Sequence, residues 1–168
     1  MVEYRIISGD GHIDLAWLPE DLFVSEAPAS LKERMPKVVE TNEGRIWQAE
    51  GSSLGSVASG GLTSLNEPYK PGVSRRLDKM EELGFFSDAQ MGKYHPTTPQ
   101  LRIKDLEVDG LQGEVIYGIL GFAAGFSDAK SGTLSPEVIT AVYDIYNSWI
   151  ADFCSSNPDQ FAGLACIA

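Results

Sequence analysis

Only two cysteines and two histidines occur among the 168 residues, and 13 basic residues stand against 24 acidic ones. Two cysteines are too few for a disulfide framework, and the N-terminus lacks the basic, apolar and small-residue blocks of a secretory leader. Cys154, in a helical pattern, and Cys166, in a strand-like one, are therefore expected to be reduced, buried thiols. A nucleophilic Cys154 is the weaker alternative, because no histidine lies near it in sequence to promote the thiolate. The formal charge of −11 repels phosphates, which disfavours nucleic acid and anionic membrane surfaces as partners. No uninterrupted apolar run reaches the roughly 20 residues of a membrane span. A cytoplasmic globular protein is the expectation.

Because histidine is scarce, its placement is informative. Ile6-Ile7-Ser8-Gly9-Asp10-Gly11-His12-Ile13 is an apolar, strand-like run that stops on an Asp-x-His pair. If Tyr4 to Ser8 form a parallel strand, the residues just beyond it lie at the strand's carboxyl end, where α/β barrels gather their ligands. Side chains two apart in an extended segment point the same way, so Asp10 and His12 can converge on one ion. A carboxylate with a neutral imidazole suits Zn²⁺, Mn²⁺ or Fe²⁺ better than Ca²⁺. A turn Asp beside a hydrogen-bonded His gives the same spacing, so the pattern alone leaves both readings open. Asp14 is either an orienting partner of the His12 ring or a solvated turn carboxylate. His95, in Lys93-Tyr94-His95-Pro96, is either a surface or structural loop residue or a substrate-binding contact folded over a barrel mouth.

The chain reads as strand, insertion, helix, strand, helix, strand. Residues 13–100 form a long insertion after the first strand, richer in Gly, Ser and Pro than residues 101–168. Within it, Lys37 to Glu40 and Arg45 to Glu50 flank a turn-like Thr41-Asn42-Glu43-Gly44, which predicts a small hairpin. Gly51 to Ser64 has no hydrophobic period and predicts a mobile loop. Ser74 is placed to cap a helix carrying Leu77, Met80 and Leu83 on one face, with Gly84 as its stop. Residues 101–168 then alternate helix and strand. Thr98-Pro99 opens a helix that ends at Asp109-Gly110, and Glu114-Val115-Ile116-Tyr117 is a short buried strand. It leads into the apolar, Gly-rich Gly118 to Phe126, equally readable as a pocket wall or a tight buried turn. Ser135-Pro136-Glu137 opens the strongest helix, with Val138, Val142, Ile145, Trp149 and Phe153 as its apolar stripe and Asn157-Pro158 as its end. Phe161 to Ile167 reads as a third buried parallel strand. The fold class is α/β: the N-terminal portion of a (β/α)8 TIM barrel, since a whole barrel needs about 250 residues.

Several segments in this order resemble one family. They are Ser8-Gly9-Asp10-Gly11-His12, Leu101 to Gly110 leading into Glu114-Val115-Ile116-Tyr117, Tyr146-Asn147-Ser148-Trp149 through Cys154, and Asn157-Pro158-Asp159-Gln160-Phe161-Ala162-Gly163-Leu164. Together they resemble the amidohydrolase-related family of metal-dependent TIM barrels, which includes nonoxidative decarboxylases. The resemblance implies that Asp10 and His12 are strand-one metal ligands, with Zn²⁺ as the leading ion and Mn²⁺ or Fe²⁺ as alternatives. Many relatives carry His-x-His there, and the acid-x-His variant leans toward carboxy-lyase chemistry. Further ligands and the acid/base residues come from later strands in such proteins, so catalytic residues are expected beyond residue 168 and this stretch alone is expected to be inactive. The implied function is a metal-dependent hydrolase of a small organic substrate. The alternatives are a decarboxylase of aromatic or muconate-type carboxylates and, from another class, a non-catalytic α/β binding domain. Open strand edges and apolar faces also predict homo-oligomers or other self-association.

Overall fold

The computed structural model describes residues 6–42, 44–57, 70–72, 75–118 and 134–167. Three strands form a parallel sheet in the order β1-β5-β6: β1 is Ile7–Ile13, β5 is Gly113–Gly118 and β6 is Phe161–Gly163. Sequential strands lie side by side, as in a barrel wall. The described residues leave that wall open.

Two helices pack with these strands. Helix α4, Pro99–Asp109, has Pro99 in its first turn and ends at Gly110, whose φ of 71° is the left-handed conformation that glycine adopts without strain. Helix α5, Pro136–Ser155, starts at Ser135, whose hydroxyl accepts the Val138 N–H. Its buried residues are Val138, Val142, Tyr146, Ile150 and Phe153. The stripe thus departs from expectation at two positions, since Ile145 and Trp149 are only half-buried. A period of 3.6 residues allows a step of three or four, and contact with the sheet chooses between them. A Cβ on Gly118 would collide with the Tyr146 ring, and one on Gly163 would come within 2.6 Å of Ile150.

Between β1 and α4 the chain forms a second, antiparallel sheet of β2 (Lys37–Thr41), β3 (Gly44–Ala49) and β4 (Ser52–Ser56). The hairpin expected from Thr41 to Gly44 is present, with Thr41 facing Gly44 and Lys37 facing Gln48. Ser52 to Ser56, expected to be loop, instead add a third strand. They turn back through Glu50 and Gly51, both at positive φ, and their backbone groups bond β3 without any hydrophobic period to announce it. The short α-helices described between β1 and α4 are α1 (Leu22–Glu26), α2 (Arg75–Glu82) and α3 (Phe85–Gln90). Helix α2 ends as expected before Gly84, at φ 81°. Ser74 and the Gly-rich segment beyond Gly118 lie outside the described residues.

A hydrophobic cluster among the described residues joins the two sheets. It runs from Ile116 and the inner face of α5 through Ile13, Leu18 and Phe23 to Met35 and Trp47. Beside it, Arg34 binds Glu50 and Glu137, while Glu50 accepts the Ser135 N–H at 2.6 Å, tying the small sheet to the start of α5. The third parallel strand is shorter and barer than expected: pairing stops at Gly163, and Ile167 is 89% exposed. No helix among the described residues is long and apolar enough to cross a membrane.

Candidate metal centre

The two faces of the parallel sheet have different covers. Gly118 and Gly163 point at α5, and Gly11 points at the Glu114 carboxylate beneath it. By strand alternation, Asp10, His12, Tyr117 and Leu164 share the opposite face, which no helix covers among the described residues. Strand β1 begins and ends later than expected, so Asp10 and His12 lie within it, not beyond it. A register shift between Ser8 and Gly11 spans Gly9 and Asp10, and such an irregularity re-aims a side chain.

The Asp10 Oδ1 and His12 Nε2 atoms are 3.0 Å apart, with side chains 87% and 36% exposed. Two ligands about 2.1 Å from one Zn²⁺ stand roughly 3.0 to 3.4 Å apart for bond angles between square and tetrahedral. The pair, at the lower end of that range, is close enough to share an ion as two of its ligands, and the same distance is that of the hydrogen bond between them. Among the described residues no third His, Cys, Asp or Glu joins them. Asp14 lies just past β1, where its carbonyl accepts the Trp17 N–H. Tyr117, to which no role was assigned from sequence, pairs with His12 in register and stacks its ring on the imidazole at 5.8 Å and 27°. Strand pairing between residues so far apart in the chain is invisible to local patterns.

Beneath the open face sits a buried ion pair. Arg102 of α4 grips Glu114 of β5 through Nε and Nη2 and donates from Nη1 to the carbonyls of His12, at 3.2 Å, and Pro96, at 3.0 Å. Both side chains are almost fully buried. Neither was singled out from sequence, because a charged residue in a helix or at the start of a short strand ordinarily reads as solvated.

His95 lies elsewhere. It is 2% exposed, with Nδ1 2.9 Å from both oxygens of Asp105 and Nε2 3.0 Å from Asp88. Phe85 covers the ring at 5.1 Å. Of the readings open in the sequence, this geometry is that of a structural residue joining α3 to α4, with both nitrogens already engaged. A neutral imidazole has one N–H, so two hydrogen bonds to carboxylates require one further proton among the three groups. Burial pushes the Asp105 carboxyl up, against the opposing pull of its bond to His95.

The cysteines are free and partly buried, as expected in their redox state. Burial pushes both thiols up, which works against a nucleophilic Cys154. Cys166 is not in a strand; Asn147 holds its backbone by accepting from N–H at 2.8 Å and donating to the carbonyl at 2.9 Å.

No family model and no curated protein matches the sequence. Among solved structures, the chain is similar over its whole length to a crystal structure of an amidohydrolase from Mycobacterium avium subsp. paratuberculosis, with a TM-score of 0.61 and 11% identity. The chain spans 43% of that protein's length. At this identity the likeness is one of fold, and the described half-open sheet with its helices is an amidohydrolase-like α/β arrangement.

Proposed function

We propose that this chain carries the strand-one part of a metal site in a metal-dependent hydrolase acting on a small organic substrate. The observation that supports it most directly is the bite of Asp10 Oδ1 and His12 Nε2, 3.0 Å apart on the uncovered face of a parallel sheet near the carboxyl end of its first strand. In barrels that end is where reacting groups collect. A divalent ion held there would supply Lewis acidity toward a carbonyl or carboxylate and a water acidic enough to ionise near neutral pH.

The chain's own residues have simpler tasks. Asp10 and His12 present an anionic oxygen and a neutral nitrogen from one edge, leaving other directions to further ligands. Tyr117 offers an aromatic wall beside His12, suited to packing against a planar or unsaturated substrate. A carboxylate in place of the first histidine favours a second reading, loss of CO₂ from an aromatic or muconate-type carboxylate. That reaction needs the same pair to orient a substrate carboxylate.

Calorimetric Zn²⁺ titration of the chain tests the proposal. Asp10→Ala and His12→Ala are each expected to abolish measurable binding. Unchanged binding in both variants would overturn it and leave a non-catalytic binding domain as the better account. In a version of the protein that supplies the later ligands and acid/base residues, product analysis separates the two chemistries: CO₂ from aromatic carboxylates marks the lyase, and turnover of esters or lactones marks the hydrolase.

A further inference from the structure

Asp10 and His12 stand on a face with no cover among the described residues, so nothing described above them sets their orientation. What holds them comes from below, through the backbone. The guanidinium of Arg102 makes four bonds: two to the Glu114 carboxylate and two to the carbonyls of His12 and Pro96. The same carboxylate occupies the volume that a side chain at position 11 would fill, and the Val115 carbonyl lies 3.0 Å from that Cβ position. The middle residue of Asp10-Gly11-His12 thus has a reason to be glycine. A side chain there would displace Glu114 and, with it, the grip of Arg102 on His12.

We propose that Arg102 is the positioning residue of the Asp10–His12 pair, acting with Glu114 through the His12 carbonyl and the missing side chain of Gly11. The inference rests on reading that pair as metal ligands. Arginine is required because its planar fork can engage a carboxylate with one edge and carbonyls with the other, whereas a lysine ammonium cannot reach all three acceptors at once. Tyr117 completes the seat by stacking against the imidazole whose backbone Arg102 holds.

The two histidines make the test clean, because one reports on the site and the other on the fold. With Co²⁺ alone as the probe, the wild-type chain should show paramagnetic broadening of the His12 ring signals in NMR spectra, with those of His95 far less affected. In Arg102→Lys the Co²⁺ concentration giving half the effect should rise about 10- to 100-fold, the range found for outer partners of metal ligands. Cross-relaxation between the His12 and Tyr117 rings should weaken while the His95 signals keep their wild-type positions. Wild-type Co²⁺ response and ring contact in folded Arg102→Lys would overturn the proposal. If that variant loses the His95 signals, Gly11→Ala is read instead: the same loss of Co²⁺ response supports the proposal and wild-type behaviour overturns it. Absence of any Co²⁺ effect on His12 in the wild type would sink the metal reading itself. The ring contact, measured without metal, would then decide whether Arg102 positions His12.

Discussion

Removing the imidazole of His95 would leave the carboxylates of Asp88 and Asp105 facing a void that neither can fill. Buried or half-buried groups that lose their partner cost more than the bond alone, so His95→Ala should destabilise the chain by about 3 kcal/mol in urea unfolding. Zn²⁺ binding should survive in the protein that remains folded. Loss of binding without loss of stability would instead make His95 part of the site. The sequence placed His95 in a loop, but Asp88 and Asp105 lie seven and ten residues away in separate helices. No periodicity links such positions, and only the approach of α3 to α4 makes them partners.

Element by element, the order of helices and strands in the second half was legible because caps, glycines and apolar runs agree with one another. The Tyr146-Asn147-Ser148-Trp149 segment that carries the resemblance is resolved into particular jobs. Tyr146 fills the space left by Gly118, Asn147 clamps Cys166, and Trp149 continues an aromatic row through Phe153 to Phe161. The link between the small sheet and α5 was not legible, since it joins Arg34, Glu50 and Ser135 across about a hundred residues. It yields a pH prediction. Burial tends to raise the Glu50 carboxyl, but the Ser135 N–H, Arg34 and the Ser135 hydroxyl outweigh it and leave the group below its ordinary value. A depressed carboxyl stabilises the fold above its unfolded value of 4.5 and loses that contribution as pH falls through the folded one. Wild type should therefore melt higher than Glu50→Gln at pH 7, and the two melting curves should converge as pH falls below 4.5. A gap that persists unchanged in acid would show that the link does not depend on charge.

For the molecule as a whole, the decisive feature is the sheet face away from the helices. Ile7, Tyr117, Leu164 and Ile167 are large apolar residues left exposed on or beside the three strands, and β1 and β6 are both edges among the described residues. Exposed apolar surface next to unpaired strand edges promotes association, while the charge of −11 opposes it at long range. Sedimentation should reveal concentration-dependent self-association that strengthens with added salt, and Leu164→Glu should reduce it. A monomer at all concentrations and salt levels would contradict this.

Composition, periodicity and capping were enough to establish an α/β chain, a hairpin between its first strand and its later helices, and an Asp-x-His pair close to that first strand, which the structure then extends to include the pair. Those features are encoded over a few neighbouring residues, where backbone preference and the alternation of side chains act directly. The third strand of the small sheet, the facing of α5, the enclosure of His95 and the hold of Arg102 on His12 depended on the tertiary structure. Each arises from residues that become neighbours only when strands pair and helices pack: apolar burial selects the face of α5, backbone pairing the third strand, and the satisfaction of buried polar groups the settings of His95 and Arg102.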